Sequence, residues 1–115
     1  MSVAFNGIEE LVVTFRSGGV QAGQLVTLRE NNTVTPAGQG VAPVGIVRNV
    51  RNGHAAVQVK GYMRLPYTGA APGLGWTALT CAGPASLKTA ETAGSGRDCL
   101  VVNVDETNKY VGLFL

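Results

Sequence analysis

Residues 44–63 read VGIVRNVRNGHAAVQVKGYM, and this stretch decides the fold class. Two runs dense in Val and Ile flank Asn52-Gly53. An Asn-Gly pair is among the strongest short-range hairpin signals, because both residues accept the positive φ of a type I′ turn. Val44–Val50 and His54–Met63 are therefore expected to be two strands joined across Arg51-Asn52-Gly53. Along the second, Ala55, Val57, Val59 and Gly61 alternate with Ala56, Gln58, Lys60 and Tyr62, which puts the second set on the wetter side of a half-buried strand.

Upstream, Leu11–Phe15 is a strand candidate ended by Ser17-Gly18-Gly19, and Gln24–Leu28 is the next, leading to a turn at Glu30-Asn31-Asn32. Asn suits that turn because it tolerates left-handed backbone and bonds to its own main chain. Thr33-Val34-Thr35 is a short return strand stopped by Pro36, whose fixed φ and missing N–H do not suit a central ladder. Downstream, Pro66, Gly69, Pro72, Gly73 and Gly75 mark a long loop, stiffened by its prolines, that delivers Trp76 to a further strand. Trp76–Cys81 is expected to pair with Ser86–Thr89 across Ala82–Ala85, and Glu91–Gly96 reads as a flexible loop. Cys99–Val104 and Tyr110–Leu115, joined by Asp105–Lys109, close the domain. No window supports a helix of ordinary length; the best, Gly7–Phe15, ends in β-branched residues.

The chain has 115 residues, which fits one β domain over 11–115 preceded by an N-terminal arm at 1–10. Hydrophobic residues make up 45% and charged residues only 14%, so little of the surface is covered by charge: either part of it meets another protein, or the 16 Gly with many Ala, Thr and Ser make a bland, loop-rich β surface. Net charge is +2, too small to argue for nucleic acid or a membrane. Arg48, Arg51, His54 and Lys60 are the one basic concentration, and without interleaved aromatics they read as a solvated hairpin, so no nucleic-acid binding is expected. Met1–Phe5 lacks the pattern of a secretory signal, and no apolar run is long enough for a spanning helix, so no membrane association is expected either. A reducing compartment then favours buried free thiols at Cys81 and Cys99, while a disulfide would require their strands to be neighbours.

Catalysis is not expected. The single histidine, His54, sits beside a predicted turn without an acid partner, and Glu9, Glu10, Glu30, Asp98 and Asp105 are too dispersed to make a carboxylate pair. One His and two distant Cys do not make a zinc set. Gly69-x-x-x-Gly73 and Gly94-Ser95-Gly96-Arg97 lack the Gly-Lys-Ser/Thr and the helix of a phosphate loop. Neither metal nor cofactor is expected.

Val20-Gln21-Ala22-Gly23-Gln24-Leu25-Val26, then Pro43-Val44-Gly45-Ile46-Val47, Ala56-Val57-Gln58-Val59-Lys60-Gly61 and Val111-Gly112-Leu113 follow one another in a particular order. That order, AGxxV, then GV or GI, then VxVxG, resembles the small β-rich capsid decoration (cement) proteins of tailed bacteriophages over roughly residues 11–115. The resemblance implies a non-enzymatic, all-β virion protein without cofactors: a small β-barrel or β-clip-like (β-tulip) domain with Gly/Pro-rich loops and an N-terminal arm. It implies assembly as a homotrimer on the outer capsid surface, after synthesis in the host cytoplasm, where the protein bridges copies of the major capsid protein and stabilises the expanded head.

Candidate capsid or subunit contacts are Phe5, Asn6, Ile8 and Glu9 in the arm, and Tyr62, Leu65, Pro66, Tyr67 and Trp76 around the Pro/Gly-rich loop, since Trp and Tyr are enriched at interface anchors. Trp76 is expected rather to fill the barrel interior or cover its end. The competing readings are another phage virion component, of the tail or of head completion, and a cellular ligand-binding β-barrel module with a concave pocket.

Overall fold

The computed structural model describes residues 10–90 and 96–115. Every regular element among them is a strand: β1 (Leu11–Ser17), β2 (Leu25–Glu30), β3 (Thr33–Pro36), β4 (Gly45–Arg51), β5 (His54–Lys60), β6 (Tyr62–Pro66), β7 (Gly75–Gly83), β8 (Ser86–Thr89), β9 (Arg97–Asp105) and β10 (Tyr110–Phe114). The expected small all-β barrel is present. β1-β3-β2-β4-β5 close into a barrel, and β6-β10-β9-β7-β8 form a five-stranded sheet. Closure of the barrel uses one parallel ladder, β1 on β3, with Arg16 opposite Thr33 and Ser17 opposite Val34. The edge strands of the second sheet also approach each other, where Tyr67 bridges Leu87 and the Thr68 N–H donates to the Leu87 carbonyl at 2.9 Å.

The central hairpin forms as its sequence dictates: Asn52 has φ 52° and Gly53 φ 75°, and Arg51 lies opposite His54. A Cβ at Gly53 would meet nothing within 4 Å, so a side chain there is opposed by backbone conformation alone. Gly53→Val is expected to lower stability by about 1–2 kcal/mol, the cost of left-handed backbone for an L-residue. Unchanged thermal melting of that variant would contradict the turn geometry.

The strand expected to run unbroken through His54–Met63 is divided at Gly61, where φ is 110°. A Cβ at Gly61 would also stand 3.1 Å from the Cα of Glu10. The chain leaves the barrel here and enters the second sheet, so the barrel is drawn from residues before Gly61 and the sheet from residues after it.

Gln58 departs from its expected place on the wetter side as well; it is fully buried, while Ala56 and Tyr62 are half-buried and Lys60 is exposed. Gln58 lies opposite Ile46, on the barrel face that the second sheet covers, and a bulge in β4 between Val47 and Asn49 frees Arg48 from the ladder to turn onto it. Gln58 Oε1 accepts from Arg48 Nε at 2.7 Å and from Arg48 Nη2, while its Nε2 donates to the carbonyls of Lys60 (3.3 Å) and Tyr62 (3.1 Å). A buried amide is tolerable because its polar atoms are paired.

Two hydrophobic cores share a wall. Val20, Val26, Val34, Val47, Ala55 and Val57 fill the barrel, with Phe15 and Val59 against them. The second core gathers Met63, Leu65, Tyr67, Leu79, Cys81, Leu87, Cys99, Val101, Val111 and Leu113 from the sheet, and takes Leu25, Ala37 and Ile46 from the other half of the chain. Period-two alternation makes this possible: Val26 and Val47 point into the barrel, so their neighbours Leu25 and Ile46 point out of it into the second core. Main-chain bonds reinforce the seam, with the Leu25 N–H donating to Pro84 O (2.7 Å) and the Cys81 N–H to Val41 O (2.8 Å). The Arg97 guanidinium crosses it too, donating to the carbonyls of Pro43 (3.3 Å), Val44 (3.0 Å) and Val59 (3.1 Å).

Cys81 and Cys99 are buried free thiols, as expected of a reduced chain. Cys99 lies opposite Thr77, four residues along β7 from Cys81, a separation of about 13 Å at the rise of a strand, too far for a disulfide. Burial pushes both thiols up to about 11; at Cys99 the nearby Arg97 charge opposes that rise and Asp98 adds to it. Both are protonated at neutral pH and therefore poor nucleophiles.

Candidate functional site

The outer face of the five-stranded sheet carries the most conspicuous apolar surface. Its origin is parity. In β7, Leu79 and Cys81 point into the second core, so Trp76 and Ala78 point the other way. The same alternation turns Leu100 outward between Cys99 and Val101, Phe114 outward beyond Leu113, and Tyr62 outward before Met63.

Register then aligns these four side chains. Tyr62 is opposite Phe114, Phe114 opposite Leu100, and Leu100 opposite Trp76, giving one apolar row across β6, β10, β9 and β7. At about 4.8 Å between strands the row spans about 14 Å. Tyr62 and Phe114 pack edge-on, with ring centroids 5.5 Å apart at 62°. Trp76 is 76% exposed and Leu74, just before β7, is 72% exposed, so the β7 end of the row stands free. The expectation that Trp76 fills the interior is thereby corrected: the inward positions of β7 belong to its odd-numbered residues.

The rim of this face is polar and fixed. Arg64 lies over the Tyr110 ring at 4.7 Å and reaches Asp105 at 3.7 Å. Asp105 caps the β9–β10 turn: Oδ1 accepts from the Thr107 and Asn108 N–H groups, both at 3.1 Å, and Oδ2 from Asn108 Nδ2 at 3.0 Å. The Asn108 side chain and the main-chain donors, helped by the Arg64 charge, hold its carboxyl below the usual carboxylate range. Gly112 leaves room for Tyr62 to lie across β10, since a Cβ there would stand 2.6 Å from Tyr62 Oη.

Of the contact residues expected from sequence, Tyr62 and Trp76 are brought into this row, and Pro66 lies half-buried at the end of β6. Leu65 and Tyr67 are 4% and 3% exposed, their side chains turned into the second core. Phe5, Asn6, Ile8 and Glu9 lie outside the described residues, as does the expected flexible loop apart from Gly96. Leu74, Leu100 and Phe114 were not singled out from sequence. Counting by twos outward from the apolar runs of β9 and β10 would have found the last two.

Reactive groups are not gathered anywhere nearby. Among the described residues no three His, Cys, Asp or Glu side chains stand close enough to hold a metal ion. His54 is exposed at the hairpin, with Nδ1 3.0 Å from Asn52 O. A shallow depression of about 690 Å³ lies where the two halves of the chain meet, lined by Leu11, Val44, Val59, Lys60, Arg97 and Leu115 among others. The outer sheet face presents an apolar strip with a projecting indole and a hydrogen-bonded border. Compared with models of known protein families, with curated proteins and with solved structures, the chain matches none.

Proposed function

We propose that this chain is a structural virion protein that binds the outside of a phage capsid lattice and stabilises the expanded head, acting as a homotrimer against the major capsid protein. The observation that carries the reading is the exposed Trp76 at the end of a cross-strand apolar row, with exposed Leu74 just before it in the chain, on a sheet packed over the second core. Exposed aromatics on a preorganised face supply contact area at small entropic cost, which is what an interface anchor requires. The order of glycine-bounded strand motifs described above supports the same reading. A ligand that binds only the assembled lattice adds its binding free energy to the shell, and many copies make a modest interface collectively large.

The test mixes purified protein with undecorated expanded capsids and counts bound copies by sedimentation and cryo-EM. Saturable attachment in a fixed ratio to the capsid protein, with increased heat resistance of the shell, is the expected result. Leu74→Ser combined with Trp76→Ser should weaken attachment by about a hundredfold, as removal of an aromatic anchor does, with the melting temperature of the free protein unchanged. Failure of the unaltered protein to attach to its cognate shell would end this reading.

A further inference from the structure

The barrel carries a second surface of different chemistry, on the outer wall made by β1, β5 and β4. Arg16 lies opposite His54, and His54 opposite Arg51. All three are exposed. Their chain neighbours Phe15 and Ala55 pack with the barrel core, which fixes the three on the outward face. Adjacent strands are about 4.8 Å apart, so two guanidinium groups flank one imidazole along a line about 10 Å long.

Among the described residues no carboxylate answers them on this wall. The next outward row is Thr14, Ala56 and Asn49, all uncharged. In the ladder the nearest described carboxylate is Glu30, opposite Thr33, which is itself opposite Arg16, so Glu30 stands two strands away. The ion pair found among the described residues, Arg64 with Asp105, is on the other sheet. The two arginines share this face about 10 Å apart, where their like charges repel weakly. An anion laid along the row removes that repulsion, and guanidinium pairs bind carboxylates with directed, charge-assisted bonds.

We propose that the Arg16–His54–Arg51 row binds an acidic polypeptide segment, whose carboxylates seat on the two arginines. This inference goes beyond the decoration reading and does not depend on it, since it concerns a different sheet. A nucleic-acid backbone is the less suitable occupant. The outward neighbours offer no aromatic ring for a base to stack on, and a net charge of +2 supplies little long-range attraction for a polyanion.

The probe is a fluorescently labelled octaglutamate peptide, titrated with the full chain at about 0.15 M ionic strength, where charges beyond about 8 Å are largely screened, and followed by anisotropy. Saturable one-to-one binding is expected, weakened about tenfold or more by Arg16→Gln together with Arg51→Gln. Lys60→Gln together with Lys109→Gln removes the same charge elsewhere, Lys60 standing exposed at the opposite end of β5 from His54, and should change affinity less than about twofold. Thermal melting of each double variant verifies that the fold is retained. Absence of saturable binding, equal weakening by the two double variants, or tighter binding of a labelled oligothymidylate than of octaglutamate would each overturn the proposal.

Discussion

Gly45→Ala is expected to destabilise the protein by about 3 kcal/mol, the upper end of ordinary overpacking costs. Gly45 is buried at the start of β4, opposite Val26. A Cβ there would lie well inside contact distance of the Gln58 carbonyl oxygen, 2.8 Å from Val57 Cγ1 and 3.0 Å from the Gln58 carbonyl carbon. Two of those three atoms are main chain, held in the β4–β5 ladder, and cannot swing aside as a side-chain tip could. Val57→Ala in the same background should therefore bring no rescue, because it removes the conflict with Cγ1 and leaves the carbonyl. Gly38→Ala serves as the comparison, since a Cβ at that position meets nothing within 4 Å. Urea denaturation reads the result: a large drop in midpoint for Gly45→Ala and almost none for Gly38→Ala. Equal midpoints would mean that β4 and β5 do not approach as closely as their register requires.

The second large effect is expected at Gln58. Truncation to alanine removes the acceptor of Arg48 and the donor to the Lys60 and Tyr62 carbonyls, and leaves a cavity in a fully buried position. Bonds to a charged group and an unfilled volume together suggest a loss of about 3–4 kcal/mol. Gln58→Leu separates the two contributions, because leucine refills most of the space and restores none of the bonds. It is expected to recover about 2 kcal/mol of the alanine loss and to remain less stable than the unaltered protein by the rest. If the leucine variant instead melted with the unaltered protein, the polar pairing at this position would contribute nothing to stability, and the description of Gln58 as a paired amide joining β4, β5 and β6 would be wrong.

Local signals in the sequence located nearly every strand. Asn52-Gly53 announced its turn because the positive φ it demands is a property of two residues and needs no distant partner. Ser86–Thr89 emerged with its expected limits, bounded by Pro84-Ala85, for a similar reason. What sequence did not contain was the pairing of strands distant along the chain. The parallel closure of β1 on β3, the crossing at Gly61 and the burial of Gln58 all follow from which strands become neighbours, and side-chain alternation carries no such information. Trp76 was misjudged because size was weighed ahead of phase: a large ring is usually buried, but its position in β7 is even, and the core takes the odd ones. The candidate surface was accordingly half legible, with Tyr62 and Trp76 named and the outward row that unites them hidden until register was known.

The shared wall between the two cores is unequal in what each side requires. Everything that fills the barrel comes from residues 15–59, whereas the interior of the second sheet is incomplete without Leu25, Ala37 and Ile46. On the ribosome, therefore, the side chains that fill the barrel are all made before the second sheet is begun, whereas that sheet closes its interior over residues synthesised earlier, a dependency that runs in the direction of synthesis.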